Sequence, residues 1–233
     1  MFLPTRGTAY DLRFSLFGIP VTVSPFFWVT AGLLGFSKLF IEPGGPANLI
    51  AWILCVFLSI LLHEFGHALT MRAFRHDPEV VLHHFGGYAT YRDRGRETPF
   101  RSLLISAAGP AIQLVLFAML LGLYIWLNMT DRLPESGTPL WTALASMLEI
   151  NLIWPIVNML PVLPLDGGRM LSSILSLFGV RSATDWALKV GVFVGVIAAV
   201  FFLVFTGSFL AGAMFAFMAM ENYQTLKGQQ FGM

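Results

Sequence analysis

Residues 51–71 read AWILCVFLSILLHEFGHALTM. The run holds no proline and one glycine, Gly66, so one continuous helix can carry it. It is long enough to cross a bilayer, which takes about 20 apolar residues. Its second half nevertheless contains His63-Glu64-Phe65-Gly66-His67. Ionisable side chains are costly inside a span and mark a functional site by default. HExxH spacing on a helix sets two imidazoles one turn apart on one face, where they can grip one zinc ion. Glu64 lies beside them, placed to take a proton from water. The plain alternative, two histidines hydrogen-bonded between helices, leaves three adjacent polar groups in the span without a reason.

Composition supplies the solvent. Of 233 residues, 56% are hydrophobic and 12% charged, with mean hydropathy +0.73, far from soluble norms. Ser102 to Thr130 and Val190 to Met220 contain no Asp, Glu, Lys or Arg. These runs imply lipid. A net charge of +1 on sparse, scattered charges gives no basis for nucleic-acid binding. Cys55, the one cysteine, can form neither an internal disulfide nor a thiolate metal site. The first apolar run begins near Val21, after Arg6, Asp11 and Arg13, with no cleavage pattern closing it, so no cleaved signal peptide is expected.

Apolar runs and breaks place spans near residues 21–41, 48–71, 102–127 and 140–160, then two passes near 187–206 and 208–223. Thr206-Gly207-Ser208 offers the last turn, although one long tilted helix is the alternative there. With six passes, twelve of the fourteen Lys and Arg fall on one side, leaving Lys38 and Arg132 for the other. The positive-inside rule then puts both termini in the cytoplasm. The expected fold is an all-α polytopic membrane protein in the cell membrane, one domain over 1–233, whose core helices are about 48–71, 102–127 and 140–160. His63 and His67 precede Arg72 by nine and five residues, which at about 1.5 Å per residue sets the metal roughly 8 to 14 Å below the cytoplasmic surface.

Two histidines leave a catalytic zinc short of a ligand, since such sites have three plus an open position. His76, His83 and His84 fall in the loop after the helix; Glu149 and Asp166 are the other candidates within the membrane. The run Asn158-Met-Leu-Pro161-Val-Leu-Pro164-Leu-Asp166-Gly167-Gly168-Arg169 favours Asp166. Its prolines and glycines must interrupt helix, and unwound backbone at membrane depth is tolerated where it is buried or lines a cavity. Glu149 is expected to be protonated or paired with a polar neighbour such as Asn151.

HExxH followed by NxxPxxPLDGG resembles the site-2 protease family of intramembrane zinc metalloproteases, peptidase family M50. The likeness covers about residues 10–180. It implies three core transmembrane helices and one zinc ion per chain, held by His63, His67 and Asp166. Glu64 is then the catalytic base and Asn158 helps hold substrate or polarise its carbonyl. Ser106-Ala-Ala-Gly-Pro110 resembles the start of the family's third helix, but Gln113 stands where Asn is expected, a departure that touches helix packing. Neither a PDZ domain between core helices nor a C-terminal CBS domain is read here, so a minimal form is expected.

Glu79 to Tyr91 sets two β-prone runs around Gly86-Gly87, a hairpin signal. In the family a membrane-associated β-hairpin occupies this place and pairs with substrate, which makes Gly86 and Gly87 candidate substrate-binding residues. Phe14 to Val23, with a bend at Gly18-Ile-Pro20, reads as a further short strand. His83 and His84 point to opposite faces of a strand and cannot share one ion.

The expected activity is cleavage of transmembrane or membrane-proximal segments of a membrane protein substrate. The rival is a metal-ion-binding membrane transporter, which needs ligands on both sides of the membrane. Five histidines are too few for a histidine-box di-iron oxygenase.

Overall fold

The structure is a computed structural model describing residues 9–83, 86–92 and 97–231, the side chains of residues 92 and 229–231 excepted. Arg6, His84, Arg94 and Arg96, on which parts of the charge map and the histidine pair rest, lie outside the described residues. The chain divides into two compact units, 1–94 with 111–155 and 95–110 with 156–233.

The first unit opens with β1 (Leu12–Leu16) and β2 (Ile19–Val23), a tight hairpin turning at Phe17 and Gly18, with φ of 50° and 73°. Positive φ at both turn residues suits the right-handed twist of the strands. β3 (Asp77–His83) pairs parallel to β2 and antiparallel to β4 (Gly86–Arg92), giving the order β1-β2-β3-β4. Ile19, Val21, Val23, Val80 and Leu82 alternate along their strands onto the buried face, as a half-buried sheet requires. The fold is therefore not all-α: it is mostly helical, with a four-stranded sheet in place of a lone hairpin. Gly86 and Gly87 open β4 and are not the turn itself, because His83 pairs with Gly86.

α1 (Pro25–Leu34) follows, with Ser24 accepting from the Phe26 N–H, and a 3₁₀ turn covers Phe36–Phe40. Residues 21–41 are thus not one spanning helix. The sheet takes Val21 to Val23, Gly35 ends α1, and its ten residues reach only about 15 Å against a hydrocarbon core of about 30 Å.

α2 (Pro46–Ala73) carries His63, Glu64 and His67. Its entry is fixed by buried Asn48, which donates to the Ile41 and Gly137 carbonyls at 2.8 and 2.7 Å and accepts from Thr142 at 3.0 Å. Its exit is tied to the β1–β2 turn, where Arg72 donates to the Phe17 carbonyl. α3 (Pro99–Met129) and α4 (Pro139–Asn158) each contribute residues to both units.

The second unit holds α5 (Asp166–Leu177), α6 (Ala183–Phe205) and α7 (Phe209–Phe231). Gly207, at φ 66°, makes the turn that separates α6 from α7, so 187–223 is two helices. They pack closely through small residues: a Cβ on Gly195 would lie 3.0 Å from that of Ala219. Phe202 and Phe215 stack with centroids 5.4 Å apart.

Among the described residues, four helices, α2, α3, α4 and α6, are long and apolar enough to cross a membrane. Some polar side chains are buried within the helices while many large apolar ones face outward. Asn48, Ser59, Gln113 and Asn151 are fully buried, while Phe193, Val204, Phe205 and Met119 are exposed. In water that would be inverted; in lipid it satisfies both sets of groups. All three lysines lie over aromatic rings, Lys38 on Trp52, Lys189 on Trp186 and Lys227 on Tyr223, and Arg132 lies over Trp126. Such pairs are the amphipathic anchors of a membrane interface.

Candidate metal centre

His63 and His67 are buried on one face of α2, with Nε2 atoms 3.1 Å apart. Two nitrogens each 2.0–2.1 Å from a tetrahedral ion would stand about 3.3 Å apart, so the pair has nearly the separation of two ligands sharing one ion. His63 Nδ1 lies 2.8 Å from Gln113 Oε1 on α3. Gln113 Nε2 donates to the Ser59 carbonyl at 3.2 Å, which turns its oxygen toward His63. An amide oxygen can only accept, so this contact is a hydrogen bond in the tautomer that has the His63 proton on Nδ1 and the lone pair on Nε2.

Glu64 is buried beside the histidines. β4 comes against it at Gly87, where a Cβ would lie 2.7 Å from Glu64 Cγ and 2.9 Å from Oε1. Only glycine permits that approach. Gly86, at φ 123°, sits against Trp154.

Asp166 is the first residue of α5 and is buried. A carboxylate is favoured at a helix N-terminus, where backbone N–H groups are unsatisfied. The chain before it, residues 159–165, is non-helical, as its two prolines require. The first turn of α5 lies directly on that stretch: a Cβ on Gly168 would be 2.6 Å from the Leu163 nitrogen, and one on Gly167 would strike the Met159 carbonyl. Asn222 of α7 donates to the Leu163 carbonyl at 2.6 Å and to the Met218 carbonyl at 2.7 Å.

His63, His67 and Asp166 form a candidate metal-binding group, each offering one ligand atom, with all of these atoms within 4.8 Å of one another. Two imidazoles and a carboxylate, all buried, are the donor set that a zinc ion with an open fourth position takes. The group fits.

Other expected residues fall elsewhere. Asn158 ends α4 and is half-buried. Glu149 is exposed on α4 and does not pair with Asn151, which donates to Ser59 Oγ at 2.9 Å and to the Met147 carbonyl at 2.8 Å. Residues two apart point to different sides of a helix, so the expected pairing fails. His76 packs on Tyr91, ring centroids 4.1 Å apart, and His83 near Tyr88 at 5.5 Å. Gln113 was missed as part of the centre. Its signal was an amide deep within the uncharged run from Ser102 to Thr130, whose other amide, Asn128, stands at the end of the run; a buried polar side chain there must find a partner.

The family model for peptidase family M50 matches residues 129–202. The chain is 36% identical over 170 residues to the sll0528 protein of Synechocystis sp., covering 69% of this chain and 43% of that protein. The chain belongs to peptidase family M50. Other relatives include zinc metalloprotease MJ0392 of Methanocaldococcus jannaschii, 28% identical over 189 residues, 78% of this chain and 51% of that one. Stage IV sporulation protein FB of Bacillus subtilis is 28% identical over 160 residues, 68% of this chain and 48% of that one. The chain spans about half the length of these curated relatives. In fold it is similar to the site-2 protease from Methanocaldococcus jannaschii, with a TM-score of 0.58 at 20% identity over 92% of this chain and 94% of that one.

Proposed function

We propose that this M50 chain is an intramembrane zinc metalloprotease that cleaves transmembrane or membrane-proximal segments of membrane proteins. His63, His67 and Asp166 hold the ion and Glu64 is the general base. The observation that carries the reading is the convergence of three buried donors beside a buried carboxylate that is not among them.

Zinc, when bound, supplies Lewis-acid chemistry, polarising the scissile carbonyl and acidifying water. Glu64 takes the proton from the attacking water and returns it to the leaving amine nitrogen. β4 is an edge strand in the order β1-β2-β3-β4, and its start lies against Glu64. An unwound substrate segment added to that edge would be held extended by main-chain hydrogen bonds, with Gly86 and Gly87 keeping the path open. The family resemblance supports a role for Asn158 in holding substrate or polarising its carbonyl.

The chain acts as one membrane-embedded domain. α1 and the 3₁₀ turn, about 15 and about 10 Å long, together make a broken pass, and with α7 they bring the four long apolar helices to six passes; the Lys/Arg asymmetry supports cytoplasmic termini. Transport is disfavoured, because among the described residues the one metal group is the one at His63.

The test is Glu64→Gln in purified full-length chain reconstituted in lipid with a membrane protein substrate. Zinc content should be retained, while cleavage falls by about 10² to 10⁴-fold, the usual contribution of a general base. Undiminished cleavage at full zinc removes Glu64 from the chemistry, and lost zinc makes it a ligand.

A further inference from the structure

We propose that Gln113 is a positioning residue of the metal centre, fixing the tautomer and ring orientation of His63 so that Nε2 faces the ion. The inference rests on His63 being a ligand.

Gln113 is fully buried on α3, and both ends of its amide are engaged on α2. Oε1 meets His63 Nδ1 at 2.8 Å, and Nε2 reaches the carbonyl of Ser59 at 3.2 Å. Ser59 lies one turn before His63 on the same helix, and in a regular α-helix its carbonyl takes the N–H of residue 63. The amide therefore spans one turn of α2, holding the His63 ring in register with the backbone that carries it.

The two contacts allow one amide orientation. Reversed, the amide oxygen would face the Ser59 carbonyl, acceptor against acceptor, and the NH₂ would face Nδ1. His63 would then carry its proton on Nε2 and have no lone pair for the ion. In the observed arrangement both amide ends are satisfied, and Nε2, 3.1 Å from His67 Nε2, is the ring nitrogen that keeps the lone pair. Carboxylates and carbonyls commonly orient metal-bound histidines in this way, and their loss typically costs 10–100-fold in metal affinity or activity. Gln suits this place better than Asn, because one methylene less cannot bridge both partners from the same backbone position. A packing amide would need neither contact on a ligand.

The experiment compares Gln113→Met, Gln113→Asn, Ser59→Ala and His63→Ala in the full chain in lipid. Zinc retention against a chelator, the visible spectrum of the cobalt-loaded protein, and kcat and KM on a membrane protein substrate are measured. Gln113→Met keeps the side-chain length but makes neither bond. It should weaken zinc retention about 10–100-fold, change the cobalt spectrum, and lower kcat with KM little changed. Ser59→Ala keeps the main-chain carbonyl and should retain zinc like the parent. If Gln113→Met does not fold, Gln113→Asn decides, and it too should lose zinc faster than the parent. Parental zinc retention and spectrum in the Gln113 variants, with zinc lost from His63→Ala, overturn the proposal and leave the ligand assignment standing. Zinc kept by His63→Ala overturns the ligand assignment first. Equal weakening in Ser59→Ala means general loosening of α2 and also overturns the positioning role.

Discussion

Gly87 on β4 lies against Glu64 on α2 so closely that a β-carbon at 87 would sit 2.7 Å from Glu64 Cγ. The sheet edge and the proposed base are therefore placed by one contact. Gly87→Ala forces one of them to move, and Leu82 on β3, also 2.7 Å from that β-carbon, blocks retreat. A displacement of about 1 Å at a reacting group can cost on the order of 10²-fold in rate. Zinc content should be unchanged in Gly87→Ala while cleavage drops by that order. Parental cleavage rates would mean that β4 yields freely and does not position Glu64.

Asp166→Ala should release zinc, and Glu149→Ala should not. Asp166 is buried with the two histidines and offers a ligand atom, whereas Glu149 is exposed on α4. Metal analysis of the two purified variants separates them. Zinc retained at parental level in Asp166→Ala would transfer the third ligand to another group.

What could be read from the sequence divides along the range of the interactions. The long helices were legible because an uncharged run of 20 or more residues has few other solutions; α2, α3 and α4 differ from the expected spans by one to three residues at each end. His63, His67 and Asp166 were legible because ionisable groups and broken helix in an apolar chain are costly enough to advertise a site. The first segment was misread. Hydropathy over residues 21–41 cannot distinguish a span from a strand and a short helix, and the parallel pairing of β2 with β3 depends on residues about 60 positions away. Gln113 was seen as a departure from a motif, but its contact with His63, 50 residues distant, is a tertiary fact.

For topology, Lys38 and Arg132 should be accessible from the outer face and Lys227 from the cytoplasm. Each lies over an aromatic ring, Trp52, Trp126 and Tyr223 respectively, as interfacial anchors do. Single cysteines at 38, 132 and 227 in a Cys55→Ser background, probed with an impermeant thiol reagent on intact and opened cells, check this. Labelling of 227 from outside would overturn the six-pass arrangement.

Asn222 on α7 should control how firmly Asp166 is held, although its side chain bonds the Leu163 carbonyl, three residues away from the aspartate. Asn222 is 2% exposed and donates at 2.6 Å to that carbonyl, in the non-helical stretch on which the first turn of α5 rests. A loop that has no ladder of its own depends on such contacts for its conformation. Asn222→Ala removes the donor and leaves a buried carbonyl unsatisfied, a cost of about 1–3 kcal/mol. For a chain of this size each kcal/mol lowers Tm by roughly 2–4 °C. Zinc should also be lost faster to a chelator, because the carboxylate is carried by the segment that loosens. Gly191→Ala approaches the same contact from α6, since its β-carbon would lie 2.7 Å from Asn222 Oδ1, and it should reproduce the zinc effect with the donor still present. A drop in Tm without faster zinc loss in both variants would show that α7 stabilises the fold but does not hold the Asp166 loop.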